Sequence, residues 1–301
     1  PPRTAARMRL VVAEAAKSLN AAAGNNMNIL HSATPKIMGI LNVTPDSFSD
    51  GGRYHHIDQA LAQAERMLGE GADILDIGGE STRPGSEPVS AEEQINRVCP
   101  VITRLREQHP KIDISIDTMS SMVAEAAIQA GANIINDVSG GDHDPKILAV
   151  AARHDVAIIL MHMQGTPKTM QDNPYYDAVV TEVKRALVQK TETALAAGVK
   201  PEKIAIDPGI GFGKRRQDNL ELLAHLQALV ATGYPVLLGT SRKRFMGAIC
   251  NVTEPHELVT ATAVTTALGV MAGVKLFRVH DVLANRQAAD IAWAIRQAGP
   301  I

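Results

Sequence analysis

The sequence predicts a closed (β/α)8 barrel, an α/β TIM barrel. Three observations carry that expectation. From residue 36 onward, short Val/Ile-rich runs alternate with helical stretches, and the cycle repeats eight times before residue 281. The runs are nearly continuous in apolar residues, as in strands covered on both faces. Parallel strands need crossover connections, which helices supply, and eight such units in series favour a closed barrel over an open doubly wound sheet. At 301 residues the chain is long for one domain, yet barrels of this kind routinely reach about 250 residues. No linker or longer repeat divides it.

Taken in order, residues 1–26 stand apart. They are rich in Ala, carry Arg3, Arg7, Arg9 and Lys17, and hold one acid, Glu14. They faintly resemble a transit peptide and read as a leader or added segment outside the fold, with the barrel expected over 27–301. Strands are expected near 37–43, 74–79, 113–118, 134–138, 157–163, 204–209, 236–241 and 276–280. Ser90-Ala-Glu-Glu93 has the pattern of a capping box opening the second helix. The long fifth helix places Val179, Val183 and Leu187 on one face and stops at Gly198, with Pro201 just beyond. Gly71, Gly131 and Gly273 end other helices in the same way.

Composition narrows the function. Aromatic residues are only 3% of the chain, so the core must be built from Ile, Val, Leu, Ala and Met. A net charge of −2 argues against nucleic acid or an anionic membrane surface as a partner. No apolar run is long enough to span a bilayer. Cys99 and Cys250 lack metal-type spacing, which fits a reducing, cytoplasmic setting.

In such a barrel the chemistry sits at the C-terminal ends of the strands. Strand one ends at Asn42 and runs into Thr44-Pro45, Asp46, two serines, Asp50 and Gly51-Gly52. Strand two leads into a loop carrying Thr82, Arg83 and Pro84. Later strands end at Asp117, Asn136-Asp137, His162, Asp207, Ser241-Arg-Lys243 and Arg278-Val-His280. Each residue alone has a bland explanation. A strand-terminal Asp or Asn is commonly a turn or cap residue, Asp117 could cap the third helix, and Asp207-Pro-Gly could merely open a turn. That account has to be invoked eight times on one rim, which weakens it.

Gly209-Ile-Gly-Phe-Gly-Lys214 matches neither a dinucleotide fingerprint nor a P-loop. Its small residues suit a flat ligand approaching the backbone, with Phe212 packing against it. The chain has no H-E-x-x-H, no Cys-rich zinc spacing and no nucleophile elbow. Asp117, Asn136, Asp207 and Lys243 together offer carboxylates, an amide and an ammonium, a set that matches the amino-pyrimidinone edge of a heterocycle. Arg278 and His280 lie where barrels commonly hold phosphate. Asn42 could bind Mg²⁺, which takes few protein oxygens and leaves the rest to water and phosphate.

Seven stretches resemble dihydropteroate synthase motifs in that family's order: Ile40–Gly52, Gly78–Gly85, Ser115–Thr118, Ile134–Ser139, Asp207–Lys214, Ser241–Lys243 and Arg278–His280. The resemblance implies Mg²⁺ at Asn42 and the pterin at Asp117, Asn136, Asp207 and Lys243. It implies the diphosphate at Thr82, Arg278, Val279 and His280, and p-aminobenzoate beside Thr82, Arg83, Pro84 and Phe212. Catalytic weight would fall on Asn42, Asp117, Lys243, Arg278 and His280. The implied reaction joins a dihydropterin-methyl diphosphate to p-aminobenzoate, in a homodimeric enzyme that sulfonamides should inhibit. The family's homodimers form through helices opposite the active site. Arg244 departs from the pattern, standing where several relatives have serine. Two rivals are a methyltetrahydrofolate:corrinoid methyltransferase and a catalytically silent binding subunit. The first has no need of a diphosphate cradle, and the second would be expected to have lost metal or diphosphate residues.

Overall fold

The computed structural model describes residues 29–44, 53–80 and 89–299. Its sheet has eight parallel strands: β1 (Lys36–Asn42), β2 (Ile74–Gly78), β3 (Asp113–Asp117), β4 (Ile134–Asp137), β5 (Ala157–Met161), β6 (Ile204–Asp207), β7 (Leu237–Leu238) and β8 (Leu276–Val279). They run in the order β6-β5-β4-β3-β2-β1-β8-β7. The two ends of that order meet through a parallel bridge between Ile206 and Val236. There the Ile206 N–H donates to the Pro235 carbonyl at 2.9 Å. The expected barrel is therefore the observed one.

Helices fill the crossovers: α1 (Arg53–Gly69), α2 (Ala91–Gln108), α3 (Ser121–Ala130), α4 (Lys146–His154) and α5 (Val179–Ala196) follow the first five strands. The β6–β7 connection holds α6 (Arg216–Ala224) and α7 (Leu226–Val230), and the β7–β8 connection holds α8 (Arg244–Cys250) and α9 (Val259–Ala272). The last helix is α10 (Val282–Ala298). Ser90 caps α2 by accepting from the Glu93 N–H at 3.2 Å. Glu93 does not complete the expected box; its carboxylate turns to Arg97 at 2.8 Å. Ser120, not Asp117, caps α3.

Two apolar clusters show how the strands face. Alternate residues such as Ile37, Leu41, Leu75, Ile77, Ile114, Ile135 and Phe277 join the helices in an outer core. The intervening parity points into the barrel, where Met38, Ile74, Ile134, Ala157, Ile159, Ala205, Leu237 and Leu276 form a small inner core with Leu30. These are early positions in most strands, so the apolar floor lies at the N-terminal end. Further along the same inward parity the residues turn polar: Asp76, Ser115, Asp117, Asn136, Asp207 and Arg278. A covered strand can thus read as continuously apolar while changing character on one face only.

β7 is much shorter than the expected run of 236–241. Beyond Leu238 the backbone leaves the ladder for side-chain partners. Thr240 Oγ1 meets Thr265 Oγ1 at 2.7 Å, and the Arg242 N–H donates to Thr262 Oγ1 at 3.2 Å, both on α9. Arg242 itself adopts φ 58°, a left-handed conformation unusual for a residue with a Cβ.

Candidate active site

Strand register places four residues in one row at the mouth: Asn42 pairs with Gly78, Gly78 with Asp117, and Asp117 with Asn136. Gly78 puts no side chain into the row, and a Cβ there would stand in ordinary contact, 3.5 Å from Asp117 Cβ and 3.7 Å from Asn42 Oδ1. Deeper in the barrel, Arg278 on β8 is level with Met38 of β1. Its side chain reaches across to two carboxylates. Nε donates to Asp76 Oδ2 at 2.5 Å and Nη2 to Asp117 Oδ2 at 2.5 Å. Asn136 Nδ2 donates to the same Asp76 oxygen at 3.1 Å.

The electrostatics follow from this packing. Burial works against the Arg278 charge, but Asp76 and Asp117 outweigh it and hold the guanidinium above its ordinary range. Asp117 is raised, by burial first and by Asp76 and Asp137 after it, with Arg278 opposing. Its Oδ1 is buried without a hydrogen-bond partner among the described residues, which leaves an acceptor for a ligand donor.

Asp207 lies across the mouth on β6. Its Oδ1 accepts the Gly209 N–H at 2.7 Å, so the bland turn-opening role is real but engages one oxygen only. Burial raises its pKa to about 6, against the Gly209 N–H, Lys243 and Lys214. The Lys243 ammonium stands 4.1 Å from the centre of the Phe212 ring, a cation–π contact that tethers a mobile cation beside the mouth. Ser241 Oγ is 2.8 Å from His280 Nδ1 and accepts the His280 N–H at 3.0 Å. Arg242 pairs in bidentate fashion with Asp281 at 2.6 and 3.0 Å. The ends of β7 and β8 are therefore stapled together where ladder hydrogen bonds have run out.

The comparisons with known proteins agree with this geometry. A pterin-binding enzyme family model matches residues 38–280. The dihydropteroate synthase of Synechocystis sp. is 46% identical over 259 residues, covering 86% of this chain and 89% of the relative. The chain belongs to the dihydropteroate synthase family. Among solved structures of that family, the Clostridium difficile enzyme with pteroic acid has a TM-score of 0.82 at 44% identity, covering 87% of this chain and 97% of its own. The Xanthomonas albilineans enzyme with 4-aminobenzoic acid has a TM-score of 0.82 at 46% identity, covering 89% and 95%.

Within this dihydropteroate synthase fold, Asn42, Asp117, Asn136, Asp207, Phe212, Lys243, Arg278 and His280 all lie around the C-terminal mouth of the barrel. The Val279 side chain does not; it is buried in the outer core, so any contact with a ligand there falls to its main chain. Thr82, Arg83 and Pro84, together with Asp46 and Asp50, lie outside the described residues. Among the described residues no group of three or more His, Cys, Asp or Glu side chains is arranged for a metal. Asn42 supplies a single neutral oxygen. That donor suits Mg²⁺, which keeps most of its shell as water and substrate phosphate.

Two residues escaped the strand-end reading. Asp76 sits in mid-strand, and its signal was an acid interrupting Ile74-Leu-Asp-Ile-Gly78 at an inward position. Lys214 is buried, and its ammonium donates to the carbonyls of Gly209 and Phe212 at 2.9 Å each and of His162 at 3.2 Å, with His162 Nδ1 at 3.0 Å. Burial draws its pKa down to about 7, with Asp207 pulling the other way. Its close neighbours are all acceptors, which hold it as the ammonium. Gly209 is obligatory beside it: φ is 66°, and a Cβ would fall 1.9 Å from the His162 carbonyl oxygen.

Burial, then the Lys214 charge, lowers His162 to about 3, so the ring stays neutral in the folded state with its proton on Nε2. The unfolded chain binds a proton near the ordinary value of 6.5, so this site loses stability as pH falls through 6.5 toward 3. The loss at pH 5 relative to pH 7.5 is about 2 kcal/mol. Urea unfolding at the two pH values should show a smaller pH-dependent loss for His162→Gln, which keeps an acceptor for Lys214, than for the wild type. Equal losses would count against this account.

Proposed function

We propose that the protein condenses 7,8-dihydropterin-6-ylmethyl diphosphate with p-aminobenzoate, giving 7,8-dihydropteroate and pyrophosphate. The observation that carries this reading is the polar mouth itself. Acceptors on β3, β4 and β6 (Asp117, Asn136, Asp207) surround an inward cation from β8, with Lys243 above Phe212 at the rim. A flat ring with N–H donors on one edge and a carbonyl on the other is complementary to that set. Family membership and the ligands of its solved relatives, pteroic acid and 4-aminobenzoic acid, support the same assignment.

The difficult event is breaking the C–O bond to a highly charged leaving group. Arg278 and His280 stand on one strand end, where they can meet charge developing on the departing pyrophosphate. Ser241 fixes the His280 ring for this, and the Arg278 charge is secured by its two carboxylates. Asn42 would hold Mg²⁺, which when bound neutralises diphosphate oxygens. The electron-rich dihydropterin, held by Asp207, Asn136 and Asp117, can delocalise positive charge at its methylene, so the substitution is dissociative and SN1-like. The arylamine is neutral at physiological pH and needs no strong base. Phe212, with Thr82, Arg83 and Pro84 assigned by resemblance, would receive the p-aminobenzoate ring.

A homodimer is part of the proposal. Val264 and Leu268 on α9, and Leu283, Ile291 and Ile295 on α10, are 48–64% exposed. Their i, i+4 and i, i+8 spacings form stripes on neighbouring helices, an apolar face of the kind that a second copy covers. A cytoplasmic location belongs to the same reading and is supported by two free cysteines.

Three measurements test these statements. Purified protein should form dihydropteroate from the two substrates with matching pyrophosphate release, and lose turnover when Mg²⁺ is chelated; absence of product would sink the synthase reading. Affinity for the pterin should be full above about pH 7 and fall about tenfold by pH 5, because an N–H-donating ring needs Asp207, at about 6, ionised. Asp207→Asn should bind more weakly and lose that pH step, and a variant that keeps the step would remove Asp207 from the pocket. Sedimentation should give a dimer for the wild type and a monomer for a Leu268→Lys/Ile291→Lys variant; a monomeric wild type at micromolar concentration would refute the interface.

A further inference from the structure

Asp76 is fully buried on β2, inside the barrel and two residues beneath Gly78. One of its oxygens, Oδ2, receives Arg278 Nε at 2.5 Å and Asn136 Nδ2 at 3.1 Å. A single atom therefore ties β8, β2 and β4 together below the mouth. Its other oxygen is buried without a hydrogen-bond partner among the described residues.

Stability alone does not account for such a group. Asp117 already neutralises Arg278 at 2.5 Å. A second buried carboxylate adds desolvation cost and repels the first, so the triad as a whole is weak evidence of a stabilising role. What Asp76 does provide is orientation. Only the nitrogen end of an amide can face a carboxylate, so the Asn136 side chain cannot flip. Its Oδ1 and its second N–H are presented to the mouth in a set order. The Nε–Nη2 edge of Arg278 is likewise committed to two carboxylates, which fixes the plane of the guanidinium and leaves the Nη1 donors uncommitted among the described residues.

We propose that Asp76 is a positioning residue that sets the hydrogen-bonding order of the heterocycle pocket by holding the Asn136 amide and the Arg278 guanidinium in one orientation. The inference rests on the pterin reading above. It makes the pocket selective for a ring edge with a particular sequence of donors and acceptors, although Asp76 does not touch the ligand. A p-aminobenzoate site lined by Phe212 shares none of these contacts, so it should not feel the change.

The test is calorimetric titration of the pterin diphosphate without p-aminobenzoate, alongside the KM for p-aminobenzoate and the thermal midpoint. It uses wild type, Asp76→Leu and Asp76→Asn. The leucine variant, isosteric but without an acceptor, should raise the pterin Kd about 10- to 100-fold. Its KM for p-aminobenzoate should stay within about twofold, whatever the thermal midpoint loses through the Arg278 and Asn136 donors left without an acceptor. The asparagine variant keeps an acceptor and loses only the charge, so its Kd should rise by less than that of the leucine variant. A leucine variant that binds the pterin as tightly as the wild type, or equal losses in both variants, would overturn the positioning role. If the leucine variant does not fold, a cycle of Asp76→Asn and Asn136→Ala decides instead. The effect of the first change on Kd should shrink once the Asn136 amide is gone, and independent effects would overturn the inference. A wild type that fails to bind the pterin diphosphate would refute the pterin reading and this inference with it. Wild-type binding with an unaffected leucine variant refutes this inference alone.

Discussion

One guanidinium lying between two buried carboxylates organises the interior of this barrel. Arg278 spans from β8 to Asp76 on β2 and Asp117 on β3. Three charges taken out of water would be costly if any lacked a partner, and removing one leaves an uncompensated charge. The arrangement is tolerable because each carboxylate offers an oxygen to the same cation and the apolar floor lies below them. That floor, built from Met38, Ile74, Ile134 and their neighbours with Leu30, ends where the charges begin. The boundary divides a part of the barrel that supplies stability from a part that supplies chemistry.

The second constraint is at the weak point of closure. β7 contributes two residues to the sheet, and the seam with β6 is a single bridge. Few ladder hydrogen bonds hold this side, so side chains take over: Thr240 with Thr265, Ser241 with His280, and Arg242 with Asp281. The left-handed Arg242 is held by these contacts, and it is the residue that sends Lys243 toward Phe212. Past the irregular end of β7 a cation thus reaches the rim beside an aromatic ring supplied by the β6 loop. The β6 loop is secured in a comparable way from beneath, by the buried Lys214 ammonium and its carbonyl acceptors.

Much of this was legible in the chain. Eight apolar runs separated by helical stretches determined the barrel, because strands covered on both faces must be apolar throughout and parallel strands require crossovers. Asn42, Asp117, Asn136, Asp207, Lys243, Arg278 and His280 were legible for a related reason: a polar side chain just where an apolar run stops is delivered to one rim by the topology alone. The same rule could not see Asp76, which interrupts its strand instead of ending it. Nor could it decide that Val279, between Arg278 and His280, turns outward.

Only the tertiary structure decided the pairing. Which carboxylates Arg278 meets depends on the stagger between β8, β2 and β3, residues some 160–200 apart along the chain, and no local pattern encodes that distance. The orientation of Asn136, the neutral His162 ring and the acceptor cage around Lys214 arise in the same way, from groups that become neighbours only when the barrel closes. By itself the sequence determined the periodicity, and with it the architecture and the rim. The protonation states and the order of donors at the mouth required the fold, because burial and proximity set them and neither exists in an extended chain.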